Sequence, residues 1–259
     1  MSLRIGIAGI AGRMGRLLAE EVAAAGGTLA GGTLRPGSVT RGGVPVRVLP
    51  DATALFAASD VVIDFTHAST AAAHAAAAAQ AGKAFVLGTS GLSAEDEAAV
   101  VAAAEKVPVV YAANFSPGVN LVLAIAERMA AALPADQYDA EIVEMHHRQK
   151  VDAPSGTAIA MGRAVARGRK TTLEAAGTES GRDGHYGARR TGTIGFAALR
   201  GGQVVGEHTL LFAGASEQIA LTHRSFDRRV YATGAVRAAL WAHGRAPGLY
   251  DMKHVVGMA

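Results

Sequence analysis

Arg4 to Gly15 reads RIGIAGIAGRMG, and this stretch decides the architecture of the first third of the chain. The residues from Arg4 to Ala8 suit a short buried strand. Glycines follow at Gly9, Gly12 and Gly15, and Leu17, Leu18 and Val22 then recur at helical spacing. Strand, glycine turn and helix in that order build the phosphate-binding unit of a dinucleotide fold. Gly9 permits the tight turn, Gly12 lets backbone approach a pyrophosphate, and Gly15 allows the helix to lie close to the strand. The spacing G-x-x-G-x-x-G departs from G-x-G-x-x-G, so its position after the first strand carries the reading; the alternative is a tight turn that binds nothing. Arg13 points either toward phosphate or into solvent.

Working outward, Thr28 to Leu34 predicts a second strand that ends in LRPGS, residues 34–38, where the residue that reads the adenosine ribose belongs. An acid there would bond the ribose hydroxyls and repel a 2′-phosphate. Leu34 and Arg35 offer no acid and one cation, which favours NADPH while leaving NADH open; otherwise Arg35 is an exposed turn residue before Pro36. The alternation continues with strand DVVIDFT (60–66), helix Ala68 to Ala81, strand AFVLGTS (84–90), helix Ser93 to Lys106 and strand VPVVYAAN (107–114). Ser93 is the expected N-cap, with Glu95, Asp96 and Glu97 in the first turn. This pattern predicts an α/β, Rossmann-type doubly wound parallel sheet, with DFT, GTSG and AANFSPG as walls of its crevice.

After Asn114 the rhythm changes. A helix over about 120–132, a strand through YDAEIVEMHH (138–147) and a helix after Ser155 precede strands TIGFAALR (193–200), QVVGEHTLLFAG (203–214) and EQIALTHR (217–224). Gly201-Gly202 predicts a hairpin between the first two of these. A second, α+β domain with a mixed or antiparallel sheet is expected over 118–226. The dinucleotide domain is expected over 1–117, with 227–259 returning to it through the helical pattern of Asp227 to His243. Arg167 to Arg190, polar and glycine-rich, predicts a mobile surface loop.

The 259 residues are half hydrophobic and 18% charged, enough for a substantial core and against disorder. The net charge of +3 is scattered rather than blocked, which suits small anions and argues against nucleic acid. With no cysteine and no cleavable leader pattern, a cytoplasmic protein is expected. The alanine run from Ala71 to Ala79 is broken by His74 and is too short to span a membrane, so no membrane is expected as a partner.

The densest chemistry lies in EMHHRQKVDAPSGTA, Glu144 to Ala158. On a strand Glu144 and His146 share one face while Met145 and His147 share the other, which argues against a metal. Lys150 follows, and Ser155, Gly156 and Thr157 then present backbone amides at a helix start, where a carboxylate or phosphate binds. Lys and His beside it would neutralise a second carboxylate and protonate a carbon next to an imine, which implies a small dicarboxylate. The plainer alternative is a capped helix after a basic surface run, with one histidine packed against a strand.

GIAGRMGR, DFT, GTSG, AANFSPGVN, EMHHRQKVDAPSGTA, IGFAALRGGQVVGEHTLLF and GAVRAALWAHGRAPGLYDM together resemble the dihydrodipicolinate reductase family across nearly the whole chain. The resemblance implies NAD(P)H-dependent reduction of 4-hydroxy-tetrahydrodipicolinate in the diaminopimelate and lysine pathway by a homotetramer. It implies His146 as proton donor or acceptor, Lys150 as proton donor, and His147, Ser155, Gly156 and Thr157 as substrate contacts. For the cofactor it implies Gly9, Ile10, Ala11, Gly12, Arg13 and Met14 at the pyrophosphate, Arg35 at the 2′-phosphate, Gly88, Thr89 and Ser90 at the nicotinamide, and Ala112, Ala113, Asn114 and Phe115 along the crevice. Leu34 replaces an acid found in many relatives, and Gln149 a histidine found in some. Two rivals are another nicotinamide dehydrogenase on the same first domain and a non-catalytic NADP(H)-sensing module.

Overall fold

In the computed structural model the chain is described at residues 2–35, 37–39 and 46–259. It divides into two compact units, Met1–Pro117 with Arg229–Ala259, and Gly118–Arg228.

The first unit alternates strand and helix: β1 (Arg4–Ala8), α1 (Arg13–Ala24), β2 (Thr28–Gly32), α2 (Ala52–Ala58), β3 (Val61–Asp64), α3 (Ala68–Ala81), β4 (Ala84–Leu87), α4 (Ala94–Ala104) and β5 (Pro108–Tyr111). The second unit follows with α5 (Pro117–Ala132), which starts at the boundary, then β6 (Asp139–His146), α6 (Gly156–Gly168), α7 (Leu173–Ala176), β7 (Thr178–Ser180), β8 (Ile194–Arg200), β9 (Gly206–Ala213) and β10 (Gln218–Ser225). The chain then re-enters the first unit with α8 (Arg229–Ala242), β11 (Gly248–Tyr250) and α9 (Met252–Val255).

The first sheet has six strands in the order β11-β5-β4-β3-β1-β2, and every recorded pairing is parallel. Strands β3 and β4 are buried at every position, as strands covered on both faces must be. From β1 the chain runs outward to β2 and then returns to the other side of β1 at β3. That reversal makes the carboxyl ends of β1 and β3 the switch point where doubly wound sheets bind ligands. One face packs Ile5, Ile7, Ile63 and Val86 against Leu18, Val22 and the alanines of α8, and the other packs Val62, Phe85 and Val109 against Phe56, Ala71, Ala75 and Val100. Ser93 caps α4 through a reciprocal box with Asp96, as the spacing predicts.

The structure departs from the sequence pattern at several elements. Strand β2 ends at Gly32, two residues early, because Leu34 turns onto the core. Helix α2 was missed; its signal was Asp51, whose carboxylate caps the Ala54 amide at 2.8 Å. Strand β11 was missed as well, at only three residues. The predicted Gly201-Gly202 hairpin does not form. The second sheet runs β10-β9-β6-β8-β7, so β6 lies between β8 and β9, parallel to the first and antiparallel to the second.

The link from β8 to β9 crosses the end of β6 instead. It is held by Gly201 N–H to His146 O at 3.0 Å and His147 N–H to Val204 O at 2.7 Å. The hairpin in this sheet joins β9 and β10. The stretch predicted to be a mobile loop over 167–190 holds the end of α6, α7 and β7. Its Arg182 and Arg189 grip Glu141 in paired hydrogen bonds of 2.7 to 2.8 Å, so charge pairs order a segment that composition alone reads as loose.

Candidate active site

In the first unit, Gly9 follows β1 at φ +68°, a left-handed turn that favours glycine. A β-carbon on Gly15 would stand 2.6 Å from the Ile10 α-carbon, so only glycine lets α1 press on the loop. Gly12 caps α1 without any side-chain acceptor, which leaves the first-turn amides of Arg13 and Met14 for an anion. The loop is fastened by Ile10 N–H to Thr33 O at 3.0 Å and Gly9 N–H to the Thr33 hydroxyl at 3.3 Å.

Arg35 is exposed and Leu34 packs on the core, so a cation and no acid stands after β2; Pro36 lies outside the described residues. At the end of β4, Thr89 is buried and its hydroxyl has no partner among the described residues, an unfilled bond of the kind a carboxamide would satisfy. Asn114 accepts the Ser116 amide at 2.8 Å, and Phe115 is buried. Glycine turn, uncapped helix start and orphaned hydroxyl fit a nicotinamide dinucleotide.

In the second unit, β6 alternates half-buried and buried positions, and Ala140, Ile142, Glu144 and His146 face the core beneath α6. Glu144 is 1% exposed and fully engaged. It accepts two bonds from Arg200 at 2.7 and 2.8 Å, one from His146 Nδ1 at 2.6 Å, and one from the Ser155 amide at 3.1 Å. Burial by itself would raise its pKa, but the bonds from Arg200 and His146 outweigh that and hold the carboxyl below the usual range. A carboxylate acceptor places the His146 proton on Nδ1, so Nε2 is the nitrogen free to exchange one.

A β-carbon on Gly206 would stand 3.0 Å from that Nε2, so glycine leaves it uncovered. The His146 ring meets His208 edge to face at 5.0 Å. His208 Nε2 contacts the Ser155 hydroxyl at 2.8 Å, and burial, with His146 beside it, pushes the His208 pKa down to about 4.

The segment between β6 and α6 carries the remaining cationic chemistry. Lys150 Nζ binds both oxygens of Asp152 at 2.8 and 2.9 Å, which lowers the Asp152 pKa. Arg200 also donates to Asp152 O at 2.7 Å, so one guanidinium braces both Glu144 and the loop. The Ala153–Pro154 peptide is cis, and Ser155 then caps α6 by accepting the Ala158 amide at 3.1 Å. The Ser155 hydroxyl is spent on that cap and on His208. The amides of Gly156 and Thr157 open the helix with no acceptor inside it, and no atom stands within 4 Å of a β-carbon built on Gly156. His147 turns to the other side of β6 and lines a pocket of about 320 Å³ with Phe226 and Arg228.

The structure therefore gathers Glu144, His146, Ser155, Arg200 and His208 around one carboxylate, with His147 apart. Sequence reasoning placed Glu144 beside His146 but gave it no task, and it passed over Arg200, His208 and Arg228. Alternation along GEHTLLF marked His208 as inward; nothing local marked Arg200, which stands opposite His146 only through the β6–β8 pairing. Among the described residues no three His, Cys, Asp or Glu side chains are grouped to hold a metal, and no helix is long and apolar enough to cross a membrane.

Residues 3–115 match the family model described as dihydrodipicolinate reductase, N-terminus, and residues 118–256 match dihydrodipicolinate reductase, C-terminus. The chain is 66% identical to the 4-hydroxy-tetrahydrodipicolinate reductase of Granulibacter bethesdensis over 99% of its length and 98% of that protein. It is 62% identical to the enzyme of the same name from Gluconacetobacter diazotrophicus, with the same coverage. Among solved structures, the dipicolinate-bound dihydrodipicolinate reductase of Paenisporosarcina sp. TG-14 is similar with a TM-score of 0.80 and 25% identity, covering 97% of this chain and 98% of that one.

Proposed function

Since the chain belongs to the dihydrodipicolinate reductase family, we propose that it reduces 4-hydroxy-tetrahydrodipicolinate to tetrahydrodipicolinate with NAD(P)H, in the diaminopimelate and lysine pathway. When bound, NAD(P)H would supply the hydride, and the glycine loop from Gly9 to Met14, Gly88 to Ser90 and Ala112 to Phe115 would hold it. Arg35 favours NADPH over NADH, since a guanidinium pairs with a 2′-phosphate and Leu34 offers nothing to ribose hydroxyls.

The chain's own residues bind the substrate and manage its protons. The amides of Gly156 and Thr157 hold one carboxylate, supported by the α6 dipole. Lys150 holds the second by exchanging Asp152 for it, and it stands ready to protonate the carbon beside the one that takes the hydride. His146, with Nδ1 tied to Glu144, gives or accepts a proton at Nε2 as the 4-hydroxyl leaves. His147 and Arg228 line the pocket along the substrate. The observation that carries this reading is the buried Glu144 carboxylate, which fixes the proton-bearing nitrogen of His146 and the start of α6 together. The dipicolinate bound to the Paenisporosarcina relative supports a six-membered-ring dicarboxylate as ligand.

The half-open face of the second sheet bears Val143, Met145 and Leu199, the last 52% exposed, which supports a homotetramer built through this sheet. The absence of cysteine supports a cytoplasmic location. The test of function is to mix the protein with NADPH, and separately NADH, add the freshly made condensation product of aspartate semialdehyde and pyruvate, and follow the nicotinamide absorbance. Fast loss with NADPH and slower loss with NADH is the expected result. No loss with either cofactor would sink the reductase reading and leave a different dehydrogenase or a sensing module.

A further inference from the structure

The run of alanines from Ala71 to Ala79 in α3 is broken once, by His74, and the structure gives that break a partner. His74 Nδ1 stands 2.6 Å from Oδ2 of Asp64, the last residue of β3, and the Asp64 side chain is 0% exposed. The other carboxylate oxygen, Oδ1, accepts the Thr66 amide at 2.7 Å and the Thr66 hydroxyl at 2.6 Å. A carboxyl group so deeply buried is kept only where its bonds are made, and here they fix a three-residue turn, Asp64-Phe65-Thr66.

That turn touches all three loops of the cofactor crevice. The Thr66 methyl covers Gly9, where an added β-carbon would stand 2.7 Å from it. Phe65 lies over Gly88, where a β-carbon would strike the ring, and it meets Phe115 edge to face at 5.2 Å. The Gly88 amide donates to the Asp64 carbonyl at 2.8 Å. The turn thus stands at the switch point, across from the glycine loop.

We propose that His74 and Asp64 form a positioning pair for the dinucleotide site: by locking the Phe65-Thr66 turn they set the spacing of the Gly9, Gly88 and Phe115 loops. His74 acts through Asp64, and the pair serves parts of the cofactor that NADPH and NADH share. The inference rests on the dinucleotide reading of the first unit. It predicts weaker binding of both cofactors to the same degree, whereas loss of Arg35 would weaken NADPH alone.

The experiment is a titration of the full chain against NADPH and NADH, following nicotinamide fluorescence, for the parent, His74→Ala and His74→Asn, with thermal unfolding of each. In His74→Ala both dissociation constants are expected to rise on the order of tenfold, the size of one lost charge-assisted hydrogen bond. In assays the loss should appear in KM for the cofactor more than in kcat. His74→Asn, whose amide nitrogen replaces Nδ1, is expected to recover most of the affinity. Unchanged affinity in a folded His74→Ala protein, or an equal loss in the Asn variant, would overturn the proposal. Should His74→Ala not fold, Thr66→Val keeps the methyl on Gly9 and the amide bond and removes the hydroxyl bond to Asp64, loosening the same turn; affinity equal to the parent would overturn the proposal there as well. A parent that binds neither cofactor would instead overturn the dinucleotide reading beneath it.

Discussion

At the scale of single residues, the second unit is organised by charges that folding has tuned. His208 is buried beside His146, and its pKa is lowered from 6.5 to about 4; burial lowers that of His223 as well. A base with a depressed folded pKa is neutral in the native protein, while the unfolded chain takes up a proton below 6.5. Stability therefore falls as pH drops from about 6.5 toward about 4, and the slope flattens once the folded form protonates too. Replacing His208 by Gln should flatten denaturation midpoints measured across that window; an unaltered slope would clear His208 of the effect. Lys150→Ala should reduce turnover by about 10²–10³-fold, the range for a lost proton donor that also balances developing charge. Unchanged kcat would remove Lys150 from the chemistry. EMHHRQKVDAPSGTA places His146 and Lys150 four residues apart, yet the carboxylate that bonds His146 is itself held by Arg200, 56 residues away in sequence.

At the scale of elements, local pattern was most legible where a helix carried its own start signal. Ser93 with Asp96, and Ser155 before Gly156, are capping residues, and both helices begin where those residues predict. Gly15 is legible for a different reason, since the spacing after β1 demanded close approach. Gly15→Ala forces its β-carbon onto backbone of Gly9 and Ile10, which cannot swing aside as a side chain end would. We expect a cost of about 1–3 kcal/mol in chemical denaturation together with weakened cofactor binding. A folded variant with parental affinity would contradict the close-approach reading. The hairpin error belongs to this scale as well: Gly-Gly after β8 satisfied every local rule for a tight turn, but β6 already occupied the neighbouring edge.

At the scale of the molecule, the chain leaves its first unit at Pro117 and returns at Arg229. The returning α8 buries Ala232, Ala235, Val236, Ala238, Ala239 and Ala242 against the sheet, and β11 adds its sixth strand beside β5. A chain ending after Arg228 would lose α8 and α9 and leave α1 alone to cover that sheet face. We expect it to lose the part of its near-UV circular dichroism that the first unit contributes and to bind no NADPH; a truncated protein with parental NADPH affinity would show that the first 117 residues hold their core alone.

The amino-acid sequence by itself determined, apart from α2 and β11, the succession of strands and helices in the first unit, the glycine turn, the missing acid after β2 and the helix start at Ser155. Each of these is written in residues a few positions apart, and periodicity, caps and turn chemistry act over that range. Tertiary structure alone decided the order of strands in the second sheet, the ion pair of Glu144 with Arg200, the depressed pKa of His208 and the bond between His74 and Asp64. Those features depend on which distant segments become neighbours and on how far water is excluded from between them. Strand pairing and burial set both, and no local spacing encodes either.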